Sequence, residues 1–233
     1  MPLDADKVKN FWDAQAKKSK HLKLEGVANL EEDPKLLEEK IETEKRKVMG
    51  KINLDKSKRA LDLGAGAGQW SLRFAELAKE VVAVEYSAEM CDLARSEAEK
   101  LGVNNIDFVT SPAQDYQSDE LFDFIFISGL LIYLDDEECE LLVSRCAQHI
   151  NARGDLFLRD GTGIKGRHEI SNKYSEGLDA YYSATYRTPE QYIDLFTGNG
   201  FSLVNHEDMF EEGSSLNKWE ETRLRVYQFK RNS

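Results

Sequence analysis

No uninterrupted apolar run in this 233-residue chain approaches the roughly 18 residues of a membrane-spanning helix, so no membrane span is expected. Cysteine is scarce. Cys91, Cys139 and Cys146 are an odd set with no C-x-x-C pair, which offers neither a disulfide framework nor a zinc site and leaves buried spectator thiols as the expectation. The opening stretch MPLDADKVKNFWDAQAKKSK has no apolar segment after its charges, so a secretory signal is not expected and a cytoplasmic location is. Internal repeats and low-complexity segments are also lacking. Basic residues are in deficit: 31 Lys+Arg face 43 Asp+Glu, and the net charge of -12 argues against a nucleic-acid partner. The deficit is uneven, because residues 1–58 hold 14 basic against 12 acidic residues and the remainder 17 against 31. The near-neutral start reads as a solvated helical face rather than a binding patch.

What remains is the composition of a folded globular chain, 41% hydrophobic and 32% charged, long enough to bury a core. Residues 5 to about 50 carry a charged helical pattern. Asp33 can cap a helix with Pro34 in its first turn, and Leu37, Ile41 and Val48 recur on one face before Gly50 ends it. From residue 59 short apolar runs alternate with helical stretches, the signature of β-α-β units around a mainly parallel sheet. The expected strands are RALDL, EVVAVE, NIDFVT, FDFIFIS and GDLFLRD, with helices near 69–78, 88–101 and 136–149. A polar insert follows, then a helix marked by a Thr188/Gln191 capping box around Pro189. The runs FSLVNHEDMF and TRLRVYQFK have only a polar loop between them, which predicts antiparallel pairing and a reversed final strand.

The stretch RALDLGAGAGQW places three glycines at alternate positions directly after a strand that ends in a carboxylate, Asp62. Such a bend lets a ligand approach the backbone, and the following helix start offers free N–H groups. The dinucleotide pattern G-x-G-x-x-G would need glycine where Gln69 stands, which counts against NAD, and in GTGIKGRH the residues Arg167 and His168 replace the Lys and Ser/Thr of a P-loop. The second strand instead ends in Glu85, a carboxylate able to accept both hydroxyls of a ribose.

With these residues the chain resembles the class I S-adenosylmethionine-dependent methyltransferases. ALDLGAGAGQW is similar to the family's first motif and VVAVEYSAEM to its ribose-binding second, while DFVTSPAQDY, FDFIFISGLLIYL and INARGDLFLRD follow in the family's order over residues 59–160. The resemblance implies a three-layer, Rossmann-like α/β fold whose mostly parallel seven-stranded sheet has a reversed last strand. It implies a helical extension or lid over 1–58 and a methyltransferase domain over 59–233, with an acceptor-side insert at about 161–187. S-adenosylmethionine is the implied cofactor and no metal is required. Asp62 would position the cofactor's amino-acid end, Gly64, Ala65, Gly66 and Gly68 would pass against its methionine and ribose, and Glu85 would bind the ribose hydroxyls. Tyr86 and Met90 would contact the adenine, Ala113 and Gln114 would lie near its amine, and Ser128 and Gly129 near the sulfonium. Many relatives have Gly-Asp where this chain has Ser111-Pro112, so adenine recognition leans on Gln114 and backbone carbonyls.

A sulfonium carries an activated methyl, so the protein must align a nucleophile, exclude water and, for an O or N acceptor, accept a proton. Tyr133, Asp160 and His168 are the candidate bases. Trp12 with Phe11, Tyr182 and Tyr186 with Tyr181, and Arg159, Arg187 and Lys165 are the candidate acceptor contacts, the cations for a carboxylate or phosphate. The chain lacks the [DN]-P-P-[YF] motif of related base and amide methyltransferases and the Pro-Cys nucleophile of the cytosine-C5 type. A small-molecule O or N acceptor is the resulting expectation. A protein amino terminus, an RNA and a non-catalytic cofactor-binding module stand as alternatives.

Overall fold

The near-continuous apolar runs after residue 59 form strands buried on both faces, as a parallel sheet sandwiched by helices requires. In the computed structural model, which describes residues 5–18, 33–175 and 180–233, β1 (Arg59–Leu63), β2 (Glu80–Glu85), β3 (Ile106–Thr110), β4 (Phe122–Ser128) and β5 (Ile150–Gly163) are all parallel to their sheet neighbours among themselves. β8 (Phe201–Asp208) and β9 (Thr222–Arg231) complete a seven-stranded sheet of order β3-β2-β1-β4-β5-β9-β8. β9 runs antiparallel to both β5 and β8, so the last strand is the reversed one.

Alternation along each strand sends side chains to two separate cores. Leu61, Leu63, Val82, Val84, Ile125, Ile127, Leu156 and Leu158 pack with Leu142 and Val143 of helix α5 (Asp136–His149) and Phe196 of α6 (Pro189–Gly198). Ala60, Val81, Phe124, Phe126 and Phe157 face the other way, against Trp70 and Phe74 of α3 (Gln69–Leu77). Helix α4 (Ala88–Leu101) follows β2.

Two helices precede the sheet. Helix α2 (Pro34–Met49) starts as its capping residues dictate, Asp33 accepting from the Lys35 N–H at 2.8 Å, and ends at Gly50. Its Val48 is fully buried in the second core, a contribution of about 1.5–3 kcal/mol. Lys47 donates to the Asp208 carbonyl at 2.7 Å and pairs with Glu207, to which Lys51 also pairs, so α2 is tied to the far strand of the sheet. Helix α1 (Ala5–Lys18) lies on α4, where Ala16 packs with Ala67 and Met90 and Lys17 pairs with Glu89 at 3.3 Å.

The structure departs from the sequence expectation beyond residue 160. β5 continues to Gly163 because β9 pairs with it as far as Gly163–Thr222, and the polar insert is a two-stranded hairpin, β6 (His168–Ser175) with β7 (Ala180–Tyr186). Its tyrosines divide by strand alternation: Tyr181 lies against Tyr174 on an exposed face, while Tyr182 and Tyr186 turn inward. Among the described residues no helix is long and apolar enough to cross a membrane.

Candidate active site

In an open parallel sheet the ligand crevice forms beyond the carboxyl ends of the strands where strand order reverses, here between β1 and β4. A cavity of about 290 Å³ lies there. The glycine bend forms one wall, Tyr86, Met90, Ala113 and Gln114 another, and Ser128, Gly129 and Tyr133 a third. Val8, Lys9 and Trp12 of α1 and Lys40 and Glu44 of α2 line it as well.

The bend is built by backbone conformation. Gly64 and Gly66 have φ of +73° and +56°, in the left-handed region, and a side chain on Gly66 would meet nothing within 4 Å. That open space lies on the cavity wall. Glu85 closes the bend from the end of β2: its two oxygens accept the N–H groups of Gly66 at 2.9 Å and Ser87 at 2.8 Å, leaving further lone pairs on each. Burial raises the Glu85 carboxyl above its ordinary range, opposed by those N–H donors.

Asp62 is fully buried beneath the same bend and accepts the Ser71 hydroxyl at 2.6 Å. Burial pushes its carboxyl up to about 7, with the Ser71 hydrogen bond opposing and the charge of Glu85 adding. The sign follows from linkage: from about pH 4 to about 7 the folded chain keeps a proton the unfolded chain has lost, so stability falls as pH rises through that window. Asp62→Asn keeps an acceptor for Ser71 and removes the titration. The unliganded variant is expected to melt higher than the parent at pH 8 and equally at pH 4, a difference that thermal denaturation against pH would read.

The cavity gathers Asp62, Gly64, Ala65, Gly66, Glu85, Tyr86, Met90, Ala113, Gln114, Ser128, Gly129, Trp12, Tyr133 and Arg159 from the expected set. Gly68 does not line it. Its φ of +80° at the cap of α3, and the Ala94 methyl that a side chain there would meet at 2.9 Å, account for that glycine by packing. Arg187 is a second correction. Only 3% exposed, it donates to the Leu131 and Leu134 carbonyls at 2.7 and 2.9 Å and to Asp136 at 2.6 Å, so its guanidinium braces the turn before α5 and does not line the cavity.

Asp160, His168, Tyr182 and Tyr186 also stand outside the cavity lining. The Asp160 carboxylate accepts the N–H groups of Leu131 and Gly161, both at 2.8 Å, and burial pushes it up to about 7. Tyr186 packs its ring on Gly161, where a side chain would fall 2.6 Å from it, and His168 sits across the hairpin with its ring 5.9 Å from that of Tyr186. Lys165, on the exposed approach to the hairpin, pairs with Glu220 at 3.4 Å. Tyr133 alone of the three candidate bases lines the cavity, edge-on to Trp12 at 5.8 Å. Burial and the neighbouring Asp160 raise its phenol, so it is protonated at neutral pH and fit to donate a hydrogen bond rather than to take a proton. The side chain of Phe11 falls outside the described residues.

The sequence reading missed Lys9, Lys40, Glu44 and Glu138. Lys9 reaches over the Tyr86 ring at 5.8 Å and pairs with Asp13 at 2.9 Å, and Glu138 accepts the Gln114 amide at 3.4 Å. One signal existed for two of them: Lys40, Glu44 and Val48 stand four residues apart, so a buried valine continues a stripe of two charges. Among the described residues no cluster of three or more His, Cys, Asp or Glu could hold a metal ion.

Residues 60–154 match a family model described as a methyltransferase domain. Over 216 residues the chain is 28% identical to phosphoethanolamine N-methyltransferase 1 of Arabidopsis thaliana, covering 86% of this chain and 40% of that one. The chain thus spans less than half the length of the plant relatives it matches. Among solved structures it resembles Haemonchus contortus phosphoethanolamine N-methyltransferase 1 in complex with phosphoethanolamine and S-adenosylhomocysteine, with a TM-score of 0.74, 17% identity, and coverage of 97% of this chain and 48% of that one. It also resembles DhpI in its S-adenosylhomocysteine complex, with a TM-score of 0.67, 17% identity, and coverage of 96% and 94%. The matched region and the sheet with its reversed last strand agree: residues 60–154 are similar to a methyltransferase domain, and the chain has the Rossmann-like fold of the methyltransferases it resembles.

Proposed function

We propose that the protein transfers a methyl group from S-adenosylmethionine to the nitrogen of a small amine that also bears an acidic group, a phosphorylated amino alcohol being the first candidate. One observation carries the reading: the glycine bend and Glu85 share a single cavity with Tyr133 and Arg159, which supports a nucleoside site and a polar acceptor site side by side. The phosphoethanolamine N-methyltransferases among its relatives support nitrogen as the acceptor atom and phosphate as the acidic group.

In this reading the free lone pairs of Glu85 accept the ribose hydroxyls and Asp62 faces the amino-acid end. Tyr86, Met90, Ala113 and Gln114 hold the adenine, and Ser128 and Gly129 lie beside the sulfonium. Helices α1 and α2 act as the lid, and the hairpin from 168 to 186 backs the acceptor wall through Tyr186. The amine arrives as an ammonium and must lose a proton to solvent water before its lone pair attacks. The C–N bond then forms as the C–S bond breaks, the electron pair passing to sulfur, and the protein's part is alignment and exclusion of water. A cavity covered by two helices and a net charge of -12 favour a small acceptor over RNA or a peptide.

The test is incubation with labelled S-adenosylmethionine and a panel of small amines, phosphoethanolamine included, followed by mass spectrometry. Methylated amine formed in step with S-adenosylhomocysteine is the expected result. Tight cofactor binding with no methyl transferred to any amine would contradict it and point to a non-catalytic binding module.

A further inference from the structure

Glu44 and Arg159 both line the cavity, and both lie outside residues 60–154, the part that matches the methyltransferase domain model. Helix α2 brings Glu44, 7% exposed, to Arg159, the last β5 residue to pair with β4, where it sits in register with Ser128. Arg159 Nη2 donates to Glu44 Oε1 at 2.6 Å and Nη1 donates to the Ser128 hydroxyl at 3.0 Å.

The pair is only half satisfied. A guanidinium has five N–H donors, and among the described residues Arg159 uses two, its buried Nε finding no partner there. The Glu44 carboxylate uses one oxygen, and Oε2 bonds to no described residue. A desolvated ion pair is a weak source of stability, since each ion costs several kcal/mol to bury and a well-packed apolar pair often serves as well. An ion pair kept on a cavity wall with spare donors and a spare acceptor has the valences to bind a ligand carrying both signs of charge.

We propose that the Glu44–Arg159 pair is a zwitterion-binding site, with Glu44 taking the ammonium of the methyl acceptor and Arg159 its phosphate or carboxylate. This deepens the proposed function and rests on its acceptor site. Arginine alone would capture any anion, whereas a carboxylate fixed beside it disfavours an anion that brings no cation. The cofactor's amino-acid end is also a zwitterion, but Asp62 and the glycine bend offer it polar groups at the β1 side, while Arg159 and Ser128 form the last pair between β5 and β4. The acceptor is therefore the assigned occupant.

Calorimetry on the full chain saturated with S-adenosylhomocysteine tests this. Phosphoethanolamine, or failing that glycine or β-alanine, is expected to bind the parent protein. Glu44→Gln, which can still accept from Arg159, and Arg159→Lys, which keeps the charge but loses the fork, are each expected to weaken that binding about tenfold or more. Ethanolamine binding should respond to Glu44→Gln and not to Arg159→Lys, and affinity for S-adenosylhomocysteine should stay unchanged in both. Equal loss of S-adenosylhomocysteine affinity would assign the pair to the cofactor and overturn the inference. Failure of the parent to bind any of the three zwitterions would overturn it too, even if methyl transfer to another amine were observed, so the site and the activity fail separately.

Discussion

Glu85→Ala is expected to weaken S-adenosylhomocysteine binding by about 1–3 kcal/mol, or roughly 5- to 150-fold in affinity, the cost of losing charge-assisted hydrogen bonds to a sugar. The geometry gives two reasons. Removing the carboxylate takes away the lone pairs left over after the Gly66 and Ser87 N–H groups are served, and it frees those N–H groups so that the bend loses its shape. Glu85→Gln separates the two, because its amide oxygen can still accept from one N–H and keep part of the bend. It should bind more tightly than Glu85→Ala and less tightly than the parent. Titration calorimetry reads both, and unchanged affinity in Glu85→Ala would remove the ribose from that carboxylate.

Arg187→Ala should cost about 3–5 kcal/mol of folding stability, the loss of two buried hydrogen bonds from a charged donor at about 1.5–3 kcal/mol each, with the exposed Asp136 adding little. For a chain of this size that is roughly 6–20 °C in melting temperature. The Leu131 and Leu134 carbonyls would lose their charged donor inside the wall that carries Tyr133, Leu131 keeping the Leu134 N–H and both keeping only the weak Cys139 thiol besides. Asp136 would keep Arg167, which donates to it at 3.0 Å, so the loss falls mainly on the turn. Arg187→Lys should recover only part, since one ammonium cannot span two carbonyls and a carboxylate. A variant with parental stability and impaired turnover would return Arg187 to the acceptor site.

The misreading of Arg187 shows where sequence stops being legible. Its partners lie 51 to 56 residues away, and no local pattern announces a guanidinium folded back onto a distant turn. Local rules did work where the determinants are local: the Asp33 cap, the Thr188/Gln191 capping box and the loop-joined final strands all form as their residues predict. The glycine bend was legible for the same reason, because strand, bend and Glu85 lie within one β-α-β unit. Gly68 was read with that run although a helix contact explains it, since Ala94 cannot be seen beside it without the fold.

The acceptor side was least legible. Glu44 and Arg159 are 115 residues apart, and on the page Glu44 is one more charge in a charged helix. The polar insert gave no strand pattern strong enough to mark a hairpin, because its pairing register shifts between Ile170 and Lys173 and its outer face is exposed.

The most direct measurement is a crystal structure of the protein with S-adenosylhomocysteine. The nucleoside is expected in the cavity between β1 and β4, with its ribose hydroxyls within hydrogen-bonding distance of the Glu85 carboxylate and its chain passing over Gly64 and Gly66. A ligand lodged away from that bend, or a cavity that stays empty at saturating concentration, would contradict it.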